Sequence, residues 1–415
     1  MKLEALFARR AEGVRLDLAT ILQAHRALGR PAAEVAAVHV VGTNGKGSVA
    51  AMVDHALRRR GHRVGLYTSP HLMHVTERVR IDGHEVAEPT LSSAVDRVLA
   101  IEDTLALPRP LSFFEVITLA ALCCIADARV DVLVAEAGLG GRLDATRVVE
   151  ARVVAMTSID LDHQAFLGDD LGAITAEKAA VLRAGVPCIS APQHPAALAV
   201  LQARAAEVGG PLTVVQPTDR APRALPGEHQ RVNAAVALQA ARVIDPSVQL
   251  EDLDGVSWPG RLEWLPRHAS GVLLDAAHNP AGIEALVHFV QGELARGESR
   301  LRDAVVVFGC APDKDRAAML AHLARLGRPV WWVPPVAHDT SAPPGASGGV
   351  VEAFTGWADP RLESALDERL RQGTPIIVCG SHMLVGPLRS RWRGDNSTPD
   401  PTDPRARFAS CPQSR

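Results

Sequence analysis

Apolar, β-branched runs recur along this chain, separated by stretches of helical periodicity, and that alternation restricts it to one broad class of fold. The runs are Val35 to Val41, Arg63 to Tyr67, Val130 to Ala137, Val153 to Ile159 and Val186 to Ala191, then Gly271 to Ala277, Ala304 to Gly309, Val330 to Val333 and Pro375 to Gly380. Strands buried on both faces read as unbroken apolar runs, and strands separated by helices pair in parallel, so the pattern predicts an α/β architecture. Expected helices include Val49 to Arg59, Phe114 to Ala126, Gly172 to Arg183, Gly282 to Leu294 and Arg361 to Arg371. At 415 residues the chain exceeds one ordinary core. Between the fifth and sixth runs, Ser257-Trp258-Pro259-Gly260-Arg261 interrupts both periods. The expected division is residues 1–257 for a first domain, 258–392 for a smaller α/β, Rossmann-like domain, and 393–415 for a disordered tail with little to bury.

Charge and apolar content exclude several functions. Forty-four basic against 47 acidic residues give a formal charge of -3, which leaves no footprint for nucleic acid or an anionic membrane. No apolar run reaches the roughly 18 residues of a membrane span, and Met1 to Arg10 lacks the apolar segment of a secretory leader, so a cytoplasmic location is expected. Six cysteines show neither zinc-site spacing nor disulfide density. Only four basic residues are lysines, Lys2, Lys46, Lys178 and Lys314. In so Arg-rich a chain, a lysine marks places where a compact or titratable amine is needed.

One of those lysines lies in a motif. Val38 to Val41 reads as a strand, Val49 to Arg59 as a helix, and between them runs Gly42-Thr43-Asn44-Gly45-Lys46-Gly47-Ser48. Glycines let backbone N–H groups curve round phosphate oxygens, the helix N-terminus adds its positive end, Lys46 can reach the outer phosphates and Ser48 can meet magnesium. Asn44, Gly45, Lys46, Gly47 and Ser48 are thus a nucleoside triphosphate loop, with Gly47 inserted between the lysine and the hydroxyl residue. Other candidates stand at strand ends, where open α/β sheets bind ligands. Glu136 ends one apolar run, and His163 follows another within Asp160-Leu161-Asp162-His163. With Ser69, both could ligate magnesium; taken singly, each also reads as an ordinary solvated loop residue.

Nine blocks in order carry a resemblance. Gly42 to Ser48, Tyr67 to Leu72, Glu77 to Ile81, Glu136 to Thr146, Ser158 to Gly168, Glu177-Lys178-Ala179, His229-Gln230 with Asn233, Pro259-Gly260-Arg261 and Asp275 to Pro280 together resemble folylpolyglutamate synthase/dihydrofolate synthase, of the Mur ligase superfamily. The resemblance spans about residues 10 to 390. It implies a P-loop nucleotide-binding domain of Mur ligase type, with Ser48, Ser69, Glu136 and His163 as a magnesium shell for two ions. It implies Asn233, Arg261 and Asp275 as ATP contacts drawn from both domains. Ser112, Phe113, Phe114 and Glu115, with Leu143, Asp144 and Ala145, match pterin-binding positions, although the two phenylalanines also suit core packing. His278 and Ser381 match positions linked to the incoming glutamate, and Lys178 matches a lysine that is carbamylated by carbon dioxide to serve magnesium.

The activity implied is ATP-dependent amide synthesis, in which L-glutamate is added to dihydropteroate, to the γ-carboxyl of folate tails, or to only one of these. Lys46, Lys178, Asp275 and His278 would act in it, either of the last two taking the amine proton. The implied partners are small molecules alone, the protein acting as a monomer. Two features stand apart. About 17 residues rich in Pro and Arg, 211–227, replace extra antiparallel strands usual in the family, and Asp313-Lys314-Asp315 suits a charged turn as well as a nucleotide site. Cell-wall Mur ligases carry a further domain before the loop, whereas 41 residues precede Gly42 here. A non-catalytic nucleotide-gated protein would not need Glu136, His163 and Lys178 together.

Overall fold

The computed structural model describes residues 17–335 and 350–394, without 269 and 298, together with residues 6, 7 and 9. Two β-sheets organise them. The first contains β1 (Ala36–Val41), β2 (Val64–Tyr67), β3 (Val79–Ile81), β4 (His84–Glu85), β5 (Val132–Glu136), β6 (Ala151–Met156), β7 (Cys188–Ser190) and β8 (Leu212–Val214), in the order β4-β3-β2-β5-β1-β6-β7-β8. From β2 to β8 every pairing is parallel, and β3 and β4 add an antiparallel hairpin at one edge. The second sheet contains β9 (Glu263–Arg267), β10 (Ser270–Leu274), β11 (Val305–Phe308), β12 (Val330–Trp332), β13 (Val350–Ala353) and β14 (Ile376–Cys379). Its order is β13-β12-β11-β14-β10-β9, parallel except for β9.

Each sheet has its own core. In the first, Ala37, Tyr67, Leu133 and Ala135 pack against the apolar helix Phe113–Asp127 on one face, while Val41, Val154 and Met156 meet Ile174 and Leu182 on the other. In the second, Leu273, Val306, Phe308 and Ile377 pack against Ile283, Leu286 and Val290 of the helix Pro280–Ala295. Central strands covered on both faces explain why the sequence shows unbroken apolar runs. Of the described residues, those up to 224 with 230–257 form one compact unit, and 225–229 with those from 258 onward form another. Among the described residues no helix is long and apolar enough to cross a membrane.

Several boundaries differ from the sequence expectation. The helix expected from Val49 begins at Lys46, because Gly45, at φ 92°, makes the turn that lets Lys46, Gly47 and Ser48 enter the first turn. The strand expected to reach Ile159 stops at Met156; beyond it the Ser158 carbonyl accepts from Thr43 N at 2.8 Å and Asn44 N at 3.2 Å, bonds to a loop rather than to a strand. The helix expected over Gly172 to Arg183 runs Leu171–Ala179, and Arg147 donates to the Ala180 carbonyl just beyond its end. Within the shortened 211–227 segment, β8 adds a parallel edge strand to β7. The final helix, His382–Arg393, takes in the first residue assigned to the tail, and 395–415 lie outside the described residues.

Candidate active site

The loop after β1 is held from several sides. Thr43 and Asn44 donate their backbone N–H groups to Ser158, while the Thr43 hydroxyl and the Asp160 backbone exchange bonds at 3.1 Å. Gly45 lies against Asn233: a Cβ there would come within 2.4 Å of Asn233 Oδ1. Gln230, which no sequence motif assigned a role, links the two flanks. Its amide nitrogen donates to Ser48 Oγ at 3.4 Å and its amide oxygen accepts from Asn233 Nδ2 at 2.9 Å.

Two lysines meet at this loop. Lys46 Nζ donates to the carbonyls of Gly42 (3.2 Å) and Thr43 (3.0 Å), and Lys178 Nζ donates to the same Gly42 oxygen at 2.8 Å. Lys178 is buried, 4% exposed, and so is not an ordinary surface lysine. Burial, reinforced by the Lys46 charge, lowers its pKa to about 7, with Asp162 and Asp144 opposing. Beside them, Glu136 ends β5 and accepts the Ser69 N–H at 3.0 Å, as the adjacent pairing of β2 and β5 dictates. His163 sits at φ 53°, a left-handed position, with its ring 3.9 Å from the Asp162 carboxylate. The sequence offered Asp162 only as a neighbour of His163.

The hydroxyls of Ser48 and Ser69 and the carboxylate of Glu136 are hard oxygen donors, the type that could hold magnesium while it keeps several waters. Among the described residues no three His, Cys, Asp or Glu side chains gather into a metal cluster.

The second unit assembles its own cluster where adjacent parallel strands β10 and β14 end. Asp275 Oδ2 accepts from Leu262 N at 2.9 Å and Oδ1 from Ala277 N at 2.8 Å. His278 Nδ1 donates to the Ala276 carbonyl at 2.9 Å. Ser381 caps the last helix by accepting from Met383 N at 3.1 Å. Arg261 donates to the Gly260 carbonyl at 3.2 Å, and its other terminal nitrogen meets His382 Nε2 at 3.2 Å. His229 belongs here too: burial lowers its pKa, Asp275 raises it and Arg261 lowers it again.

No protein-family model matches the chain. Curated relatives do. Folylpolyglutamate synthase of Lacticaseibacillus casei is 30% identical over 92% of this chain and 95% of its own length. Dihydrofolate synthase/folylpolyglutamate synthase of Mycobacterium tuberculosis is 34% identical over 78% of this chain and 75% of its own. A probable bifunctional folylpolyglutamate synthase/dihydropteroate synthase of Haloferax volcanii is 33% identical over 88% of this chain, which spans about half of that longer protein, 47%. The chain belongs to the folylpolyglutamate synthase/dihydrofolate synthase family. Solved structures agree. A Mycobacterium tuberculosis folylpolyglutamate synthase complexed with ADP and AMPPCP superposes with TM-score 0.83 at 28% identity, over 96% of this chain and 98% of that one. E. coli FolC in complex with DHPP and ADP gives 0.78 at 29%, over 92% and 95%. A Yersinia pestis bifunctional enzyme complexed with AMPPNP and a Mn ion gives 0.76 at 30%, over 92% and 94%.

In this member of the family, the residues matched to pterin positions divide by what they touch. Ser112 and Glu115 form a reciprocal helix cap: Ser112 N donates to Glu115 at 2.8 Å and Glu115 N to Ser112 Oγ at 3.3 Å, while Arg109 holds the same carboxylate at 2.8 and 3.0 Å. Phe113 is in the core, stacked on Phe7 at 5.8 Å with Arg78 over its ring. Phe114 is only partly buried, packs beside Tyr67 and reaches Gly138, where a Cβ would come within 2.4 Å of its ring. Asp144 takes Gly138 N, Leu139 N, Thr146 N and the Thr146 hydroxyl, fixing the loop that follows Glu136, with Leu143 and Ala145 beside it. His39 in β1 supports Thr146 from below at 2.8 Å.

Proposed function

We propose that this chain is an ATP-dependent ligase that joins L-glutamate, by its amino group, to the carboxyl of dihydropteroate and to the γ-carboxyl of tetrahydrofolate tails. The observation that carries the proposal is the convergence of Lys46 and Lys178 on the Gly42 carbonyl, next to the strand-end pair Ser69 and Glu136. A compact cation in a glycine loop and oxygen donors at the neighbouring strand end are what transfer of a γ-phosphoryl group requires of a protein, since that chemistry is mainly positioning and charge neutralisation. Relatives and structural neighbours named for this activity, and solved with ADP and DHPP, support the assignment.

In the proposed reaction a carboxylate oxygen of the acceptor attacks the γ-phosphorus, giving ADP and an acyl phosphate. The glutamate nitrogen then forms the C–N bond, phosphate leaves with the C–O electrons, and the amine proton passes to a base. His278 fits that role better than Asp275. Its Nδ1 faces a carbonyl, which only accepts, so Nδ1 carries the proton and the lone pair of the neutral ring lies on Nε2. Both Asp275 oxygens already accept backbone N–H groups. Ser48, Ser69, Glu136 and His163 would hold magnesium, which supplies charge neutralisation on the phosphates.

Lys178 would join that shell as a carbamate. A neutral amine is needed to add carbon dioxide, and a pKa near 7 supplies it at neutral pH. Asn233, Arg261 and Asp275 are proposed as nucleotide contacts, and His278 with Ser381 as glutamate contacts. The test is purified protein with ATP, magnesium and labelled glutamate, and with dihydropteroate or tetrahydrofolate in separate reactions. Product with only one acceptor assigns a single activity, and product with neither overturns the proposal.

A further inference from the structure

The second unit contains a histidine that no motif marked and whose ring chemistry is determined by its partner. His382 begins the helix His382–Arg393, one residue after the strand-end pair Gly380-Ser381. Its Nε2 lies 3.2 Å from Arg261 Nη2. A guanidinium can only donate, so Nε2 must accept, which leaves His382 neutral with its proton on Nδ1. The opposite side of the cluster is occupied by His278, whose ring centroid is 5.2 Å from that of His382 at an interplanar angle of 55°. Arg261 is held at its other end by the Gly260 carbonyl, and Gly260 is fixed in turn, its N–H donating to Glu263 at 2.9 Å and its carbonyl accepting from Ala276.

We infer that His382 is a positioning residue for Arg261: by accepting from one terminal nitrogen it sets the plane of the guanidinium and the face offered to a bound anion. The anion class is a phosphate group, and on the function proposed above it is a phosphate of the nucleotide. A flexible arginine gains most when its fork is organised before the ligand arrives, because the ligand then does not bear the cost of ordering it. Arg261 alone has one backbone carbonyl to fix it. With His382 both ends of the fork are held.

The experiment compares wild type with His382→Ala, His382→Gln and His382→Arg, measuring AMPPNP–magnesium affinity by calorimetry, turnover kinetics and the unfolding midpoint. Gln retains an acceptor at reach, Ala removes it and Arg sets a second cation against the first. The expected result is about tenfold weaker nucleotide binding in the Ala variant, most of it restored in Gln, and at least the Ala loss in Arg, with unchanged midpoints. Wild-type affinity in the Ala variant would overturn the inference. So would equal losses in Ala and Gln that follow a lowered midpoint, which describe packing rather than positioning. Failure of wild type itself to bind AMPPNP would instead count against the nucleotide assignment.

Discussion

A single carbonyl oxygen, that of Gly42, receives both ammonium groups of the loop region, and the two lysines answer to different tests. Lys46 is half-buried at the first turn of its helix, its ammonium on the Gly42 and Thr43 carbonyls rather than in an apolar core. Lys46→Ala is expected to lower turnover by roughly a hundredfold or more while leaving the unfolding transition in place. Lys178→Arg keeps the charge but cannot deprotonate or form a carbamate, so it is expected to be nearly inactive, and intact mass on wild type would show the added carbon dioxide. Full activity in the Arg variant would remove Lys178 from the chemistry. His39 offers a pH test. Burial, with Arg183 and Arg147 nearby, lowers its pKa from 6.5 to about 3. Below pH 6.5 the unfolded chain binds a proton that the folded one refuses, so the stability present above 6.5 falls as pH drops towards 3. The slope is up to about 1.4 kcal/mol per unit. Urea midpoints between pH 6.5 and 4.5 should fall more steeply for wild type than for His39→Gln.

Elements differ in how much of them the sequence reveals. The helix Phe113–Asp127 is announced by its apolar run, and Ser112 with Glu115 fits a helix cap as well as it fits a substrate contact. Ser112→Ala separates the two: loss of the cap alone is expected to cost about 1 kcal/mol of stability without altering the KM for dihydropteroate. A raised KM with an unchanged urea midpoint would make it a ligand position. The small β3–β4 hairpin was not among the expected elements. Asp82 and Gly83, at φ 52° and 82°, make the turn that an Asp-Gly pair signals between short alternating strands. The strand β9 was no more legible, because Pro266 interrupts its pattern and an edge position is what permits it. Lys46, Ser48 and Glu136 could be singled out because loop spacing and strand ends have local signatures. His382 could not, and Gln230 stood in a matched block with no role attached, because their roles arise from side chains brought together by pairing and helix docking.

Across the whole molecule, the alternation of runs and helices gave two parallel-dominated sheets because buried central strands write their burial directly into sequence, while edges and loops do not. Nucleotide should act on this assembly as a ligand of the native state. Saturating AMPPNP–magnesium, at about 100 times its Kd, is expected to add about 2.7 kcal/mol of stability to wild type and much less to Lys46→Ala, read as a shift in thermal midpoint. An equal shift in both would place the nucleotide elsewhere. The same sheets also say something about crowding. One ends in a two-residue strand, His84–Glu85, and a three-residue strand, Leu212–Val214, and the other has at one edge a strand carrying Pro266 and bounded by Glu263 and Arg267. Such edges are too short, too charged or too poor in N–H donors to template another chain. At high concentration, then, copies of this protein have little opportunity to aggregate by lengthening these edges, and any association through them has to rely on side chains instead.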